Sequence, residues 1–233
     1  MFEELTTCEH DISIEGISSC LVSGNTFLIT SDQWLDVMSS AVFDGGVKRA
    51  RHIINHTVNK GYSSDHPDRD LARLAAEMGL HQGVIGLMTA VDVRRTVVRS
   101  ESKKDLTVAA VCTAGTSNPS AAGIPVYLDD YVAFPGTINI VVLIEGNLTE
   151  SAMVNAVITA TEAKTRAICM CGITMPDGSM ATGTTTDAVV IACTGRGEPL
   201  PYAGPATDLG CLIGHTVYQA VEQGLKDYLT EAQ

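Results

Sequence analysis

Apolar residues recur along the chain with two different periods, and the changes between them mark the elements. Cys20 to Thr30 reads apolar, turn, apolar, with Ser23-Gly24-Asn25 between Leu21-Val22 and Phe27-Leu28-Ile29, which predicts an N-terminal hairpin. After Ser39-Ser40 and Asp44-Gly45-Gly46, the residues Val47, Ala50, Ile53-Ile54, Thr57 and Val58 return at spacings of three and four. That period predicts a helix ending near Gly61. Asp68 to Met78 repeats it, with Leu71, Leu74, Ala75 and Met78 on one face, and stops at Gly79, a suitable C-terminal cap.

From Gly83 onward the signal changes to short runs rich in β-branched residues. Val84 to Val91, Thr107 to Thr113 and Thr137 to Ile144 predict strands, the last buried on both faces. Arg94 to Asp105 reads as a solvated hairpin or loop. Ala114 to Pro125 is a long Gly/Ser/Asn/Pro connection of the kind that lines sites. Thr149 is an N-cap for a helix whose buried stripe is traced by Met153, Val154, Val157, Ile158, Thr161 and Ile168. A turn at Pro176-Asp177-Gly178 precedes the polar stretch Thr182 to Asp187, which feeds the strand Ala188 to Ala192. A last helix runs from about Thr207 to Leu229, and within it Gly210 and Gly214 remove side-chain bulk from one face. No repeat or composition shift divides residues 1–233, so the expectation is a single domain of α/β class. Its architecture would be a layered sandwich, with mixed β-sheet(s) covered by helices.

Composition narrows the function classes. Hydrophobic residues make up 45% of the chain and charged residues 18%, enough to build a sizeable core. Fifteen Lys+Arg against 27 Asp+Glu give a net charge of −12, which repels a phosphate backbone and argues against nucleic acid as a partner. Apolar stretches such as Ile138 to Ile144 fall far short of the roughly 20 residues that span a bilayer. The start Met-Phe-Glu-Glu is acidic where a secretory signal would be basic, so a cytoplasmic protein is expected, with no membrane partner. The seven cysteines, Cys8, Cys20, Cys112, Cys169, Cys171, Cys193 and Cys211, do not read as a disulfide framework, and Cys169-x-Cys171 lacks zinc-knuckle spacing.

Four constellations carry candidate chemistry, each beside a plainer structural explanation. His52 and His56 share a face of the predicted helix as two metal ligands would. The residue between them where a zincin carries Glu is Ile53, so they read equally as polar residues opposite an apolar stripe. Gly45-Gly46 at a helix start would expose N–H groups to an anion or a carbonyl, or simply form a tight turn. Asn155, Thr159, Glu162 and Arg166 fall on one polar helix face, which is either a cleft wall or an ordinary surface with a Glu162–Arg166 pair. Thr182 to Asp187 is the strongest, because hydroxyls, a glycine and one carboxylate crowd the start of a buried strand. Gly183 can offer N–H groups to an oxyanion, threonines can donate or attack, and Asp187 can serve as acid or base, unless the hydroxyls only satisfy their own backbone.

The order of short blocks along the chain resembles the adenosylcobinamide amidohydrolase family of corrinoid salvage. The resemblance is carried by Ser39-Ser40 through Gly45-Gly46, Asn55 and Val58, Gly86-Leu87-Met88-Thr89-Ala90, and Thr113-Ala114-Gly115-Thr116-Ser117-Asn118. It continues in Gly136-Thr137-Ile138-Asn139-Ile140, Ala160-Thr161-Glu162-Ala163-Lys164-Thr165, Ala181 to Asp187, and Tyr202-Ala203-Gly204 leading to Leu209-Gly210. Phe43-Asp44 departs from the more neutral pair expected before the glycines.

The resemblance implies hydrolysis of the amide that joins the corrin propionyl side chain to aminopropanol, giving adenosylcobyric acid and 1-amino-2-propanol. The substrate itself carries the cobalt, and no further cofactor is expected. From chemical need, the acid/base role falls to Asp187 or Glu162, with Lys164 as an electrostatic contributor and Gly183, Thr184 and Asn139 as oxyanion or amide donors. Gly45, Gly46, Asn55, Thr89, Ser117, Asn118, Thr137 and Thr182 are candidate substrate contacts. Two other readings stand beside this one: an amidohydrolase of another substrate with a threonine nucleophile, unmasked by self-cleavage, and a corrinoid carrier or sensor without catalysis. A homo-oligomer is compatible with all three.

Overall fold

Strand β9 (Ile138–Glu145) is buried along nearly its whole length, and its alternation shows how the layers are arranged. Ile138, Ile140, Val142 and Ile144 point into one apolar core, while Val141 and Leu143 point into another. The structure, a computed structural model, describes residues 5–6, 12–59, 61–125 and 136–231. Among them, nine strands join in one mixed sheet. β1 (Leu5–Thr6), β2 (Ile17–Val22), β3 (Thr26–Ser39) and β12 (Ala188–Cys193) lead to β9, then β7 (Leu106–Ala114) and β6 (Val97–Lys103). β4 (Gly46–Thr57) lies along β3 and carries β5 (Val84–Thr89). The β12–β9 and β4–β5 pairs are parallel and the others antiparallel.

Fourteen-residue β3 folds this sheet over on itself. Its first part pairs with β2 and its last part with β12, and the register on β4 shifts between Thr30 and Leu35. The tip of the β3–β4 hairpin then reaches β5 through a Phe43–Gly86 bridge. An inner core of Phe27, Leu35, Val37, Ile53, Ile85, Leu87, Val141, Leu143 and Val190 lies between the two halves. Helix α1 (Pro67–Glu77) covers the β4–β5 side through Leu71 and Ala75. Helices α2 (Glu150–Met170) and α3 (Asp208–Glu231) cover the β9–β7 side. The result is the expected α/β sandwich, with four layers in the order helix, sheet, sheet, helices. No described helix is long and apolar enough to cross a membrane.

Residues 47–58 form strand β4 and not a helix. The three-residue spacing that imitates a helix comes from a β-bulge. The amides of Arg51 and His52 both donate to Gly83 O, at 2.8 and 3.0 Å, so the side-chain alternation slips there. Ala50 and Ile53 consequently face the same inner core three residues apart. Gly45-Gly46 is therefore a hairpin turn, with Asp44 at φ 54° and Gly46 at φ 91°, and offers no helix N-terminus. The turn-strand-turn pattern elsewhere follows expectation. The N-terminal hairpin closes at Val22–Thr26, residues 97–114 form the β6–β7 hairpin, and Thr149 Oγ1 caps α2 by accepting from Ala152 N.

The buried face of α2 also differs from the expected stripe. Ala152, Ala156, Ala160, Ala163 and Ala167 turn inward with Met153, Thr159, Lys164 and Ile168, leaving Val154 and Ile158 about half exposed and Thr161 at the surface. Alanines let this helix lie close to the sheet and α3, and hydropathy alone does not rank them above valine or isoleucine. Thr159 leaves the presumed polar face to donate to Ala203 O at 2.9 Å. Arg166 stacks over Tyr218 at 4.5 Å, while Glu162 is exposed.

Two expectations about stability follow. A Cβ on Gly210 would lie 2.0 Å from Gly204 O, whereas one on Gly214 meets only Thr159 Cγ2 at 3.9 Å. Gly210→Ala should cost about 1–3 kcal/mol and Gly214→Ala should gain up to about 1 kcal/mol, measured by denaturant unfolding. His52 and His56, on β4, have pKa values lowered from 6.5, chiefly by burial, with Arg51 adding to the shift of His52. The unfolded chain therefore binds more protons just below pH 6.5, so stability falls as pH drops through that value. His52→Gln/His56→Gln should flatten that slope.

Candidate active site

The polar stretch before β12 is pinned in place by a two-stranded ladder. β11 (Gly183–Thr184) pairs antiparallel with β8 (Pro119–Ser120), so the 115–125 connection and the 182–187 loop become one unit. Thr182 Oγ1 accepts from Ala122 N at 3.1 Å, and Thr182 O accepts from Thr165 Oγ1 at 3.2 Å. Asp187, the last residue before β12, ends up facing α2.

Four donors close around that carboxylate. Lys164 Nζ lies 2.5 Å from Oδ2, and Thr184 N donates to the same oxygen at 3.1 Å. Thr184 Oγ1 donates to Oδ1 at 2.5 Å and Ile138 N at 3.1 Å. The Lys164 and Asp187 side chains are only 10% and 12% exposed, so water screens the pair weakly. Of the three ammonium hydrogens of Lys164, Asp187 takes one, and no other described residue accepts from this nitrogen. Gly183 is required here, because a Cβ would sit 2.5 Å from Asp187 Oδ2 and 2.8 Å from Lys164 Nζ.

Hydroxyls and one amide continue outward from this pair. Asn118 Nδ2 donates to Thr185 Oγ1 at 2.5 Å, and Thr186 Oγ1 bonds both Thr137 Oγ1 and, at 3.1 Å, Gly136 O. Thr185 and Thr186 are exposed, as is Ser117. On the inner face of the same strand ends lies a second network. Asn139 Nδ2 donates to Met88 O at 2.8 Å and to Asn55 Oδ1 at 2.9 Å, while Asn55 Nδ2 donates to Thr113 Oγ1 at 3.0 Å. Both amide hydrogens of Asn139 are thereby taken, so it cannot be the donor that the sequence suggested. Met88 also lines a cleft of about 610 Å³ on the α1 side, with His56, Tyr62, Asp70 and Arg73.

Asp187, Lys164, Thr184, Gly183, Thr182, Asn118 and Thr137 thus meet at one end of the sandwich, with Asn55 and Asn139 beside them. Thr89 is near through the Met88 link, but its hydroxyl accepts from Val91 N at 3.0 Å and its carbonyl from Val58 N at 2.8 Å. Glu162 projects outward from α2, and Gly45 and Gly46 stay in their hairpin turn. His52 and His56 bond Thr30 and Thr26 separately, across to β3. Four residues of strand separate them by about 13 Å, too far to share a metal. Among the described residues no three His, Cys, Asp or Glu side chains gather as metal ligands. The six described cysteines are free, and Cys8 lies outside the described residues. Cys112, sealed near Asp187, has its thiol pKa pushed up by burial and then by that negative charge, so it stays protonated. Sequence patterns missed Ile138 N and Met88 O, since backbone groups carry no residue-type signal.

The model of the adenosylcobinamide amidohydrolase family matches residues 12–233. An adenosylcobinamide amidohydrolase of Methanosarcina mazei is 30% identical over 214 residues, covering 88% of this chain and 96% of that protein. One from Halobacterium salinarum is 38% identical over 122 residues, 51% of this chain and 50% of the other. An uncharacterized protein of Methanocaldococcus jannaschii is 27% identical, covering 93% of this chain and 90% of its own length.

Removing one partner of the buried pair should be costly. Lys164→Met leaves the Asp187 carboxylate with neutral donors only and is expected to lower stability by about 3 kcal/mol in denaturant unfolding. Adding Asp187→Asn to it should recover part of that loss.

Proposed function

The chain belongs to the adenosylcobinamide amidohydrolase family, and from that premise we propose that it hydrolyses the amide of adenosylcobinamide to adenosylcobyric acid and 1-amino-2-propanol. The observation that carries this reading is the nearly buried Lys164–Asp187 pair at one end of the sandwich. Amide hydrolysis adds water to the carbonyl carbon, gathers negative charge on its oxygen and expels an amine that must take up a proton. The two N–H groups of Lys164 that no described residue accepts suit the developing oxyanion or the departing amine. Asp187 holds the ammonium in place and can exchange a proton with it. Glu162 has no part in this assignment, being on the outward face of α2.

The setting suits a large amide-rich substrate. Exposed Thr185 and Thr186 and the 115–125 connection border the pair, and the net charge of −12 favours a cationic corrinoid. Cobalt enters this scheme as part of the substrate. One contact favours a second reading, with Thr184 as nucleophile: its hydroxyl already donates to Asp187 Oδ1 at 2.5 Å.

Incubation of the purified protein with adenosylcobinamide, followed by chromatography, should show cobyric acid and free aminopropanol. Stoichiometric binding with no release would instead make the protein a carrier. Asp187→Asn and Lys164→Met should each lower turnover by about 100-fold or more, and Glu162→Gln should stay within about twofold of the parent. A Thr184 nucleophile exposed by self-cleavage would appear as an intact mass below 24.6 kDa.

A further inference from the structure

The inner network at the strand ends has a fixed polarity, and that polarity selects its ligand. Met88 O is a carbonyl and can only accept, so the atom of Asn139 that meets it must be Nδ2. The second hydrogen of Nδ2 goes to Asn55, which must therefore present Oδ1, and this turns Asn55 Nδ2 toward Thr113 Oγ1. One backbone carbonyl thus orients two side-chain amides. What remains is Asn139 Oδ1, an acceptor without a partner among the described residues.

That oxygen is not sealed in. Asn139 is 2% exposed overall, yet the fully enclosed side-chain polar atoms that lack a partner among the described residues belong to Ser19 and Asn118. Asn139 Oδ1 therefore keeps a small exposed surface at the strand end. Asn139 pairs with Ala188, the neighbour of Asp187, and follows Ile138, whose amide binds Asp187. The open acceptor and the ion pair accordingly flank the same strand end from opposite faces of the sheet.

We infer that Asn139 Oδ1 receives an N–H of a substrate carboxamide other than the one that is cut, making Asn139 a specificity-determining residue. The inference rests on the corrinoid reading above, since a corrin carries several carboxamides around its rim besides the amide that is cut. A fixed acceptor rejects a group that offers only lone pairs, because the buried oxygen is then left unpaired against another acceptor. Carboxamides fit and esters or carboxylates do not.

The test uses the full-length chain and two ligands, adenosylcobinamide and an analogue whose peripheral primary carboxamides are methyl esters while the aminopropanol amide is kept. Dissociation constants come from equilibrium dialysis, with hydrolysis followed in parallel. The ester analogue should bind at least about tenfold more weakly to the parent protein. Asn139→Leu should bring the two constants within about threefold and raise KM for the native substrate with kcat largely retained, as loss of uniform binding does. Equal binding of the two ligands by the parent protein overturns the inference, as does a folded Asn139→Leu that keeps the parental ratio. Should that variant fail to fold by circular dichroism, the parental ratio alone decides. Absence of hydrolysis with the tenfold preference intact would sink the catalytic reading and leave this one standing.

Discussion

The Asp187 carboxylate is the joint on which the polar end of this molecule depends. Its four donors come from three places: Lys164 on α2, the amide of Ile138 at the start of β9, and the amide and hydroxyl of Thr184 in β11. An ionised carboxylate with so little water around it needs that many partners, because desolvation costs far more than any single hydrogen bond returns. Satisfying it fixes the helix, the sheet and the loop against one another. Chemistry that depends on an ammonium held at one point gets its preorganisation from the same contacts.

A second constraint acts across the inner core. Folding the sheet over on itself through β3 brings β4 and β5 against β7 and β9, and such a layer is apolar nearly throughout. At one end it becomes polar, with Asn55, Thr113 and Asn139 bonded to one another and to Met88 O. Each donor hydrogen this deep must find an acceptor, so each amide fixes the orientation of the next. These two networks lie at the same end of the sandwich, one built on a charged pair and one on oriented side-chain amides.

Much of this was legible from residue order. Turn chemistry at Ser23-Gly24-Asn25 and Pro176-Asp177-Gly178, the cap at Thr149 and the continuous apolar run of β9 are local signals, and each element they imply is present. Thr182 to Asp187 stood out because hydroxyls, a glycine and an acid crowd the entrance to a buried strand, where sites are often built. Failures came where a distant neighbour reset a local pattern. The bulge opposite Gly83 gave β4 a helical spacing, and close packing against the sheet and α3 turned the alanines of α2 inward in place of Val154 and Ile158.

Residue types and their spacing by themselves determined the class of fold, most of the elements, the block order that marks the family and the polar stretch at the head of β12. The tertiary structure alone decided that Lys164 and not Glu162 meets Asp187, that Gly45-Gly46 serves a hairpin, and that Asn139 spends its amide hydrogens on Asn55 and Met88. The reason is physical. Propensity and periodicity act within a few residues, whereas the partner of a buried charge and the direction of a buried amide are set by groups brought near from across the chain, including backbone atoms that no side chain announces.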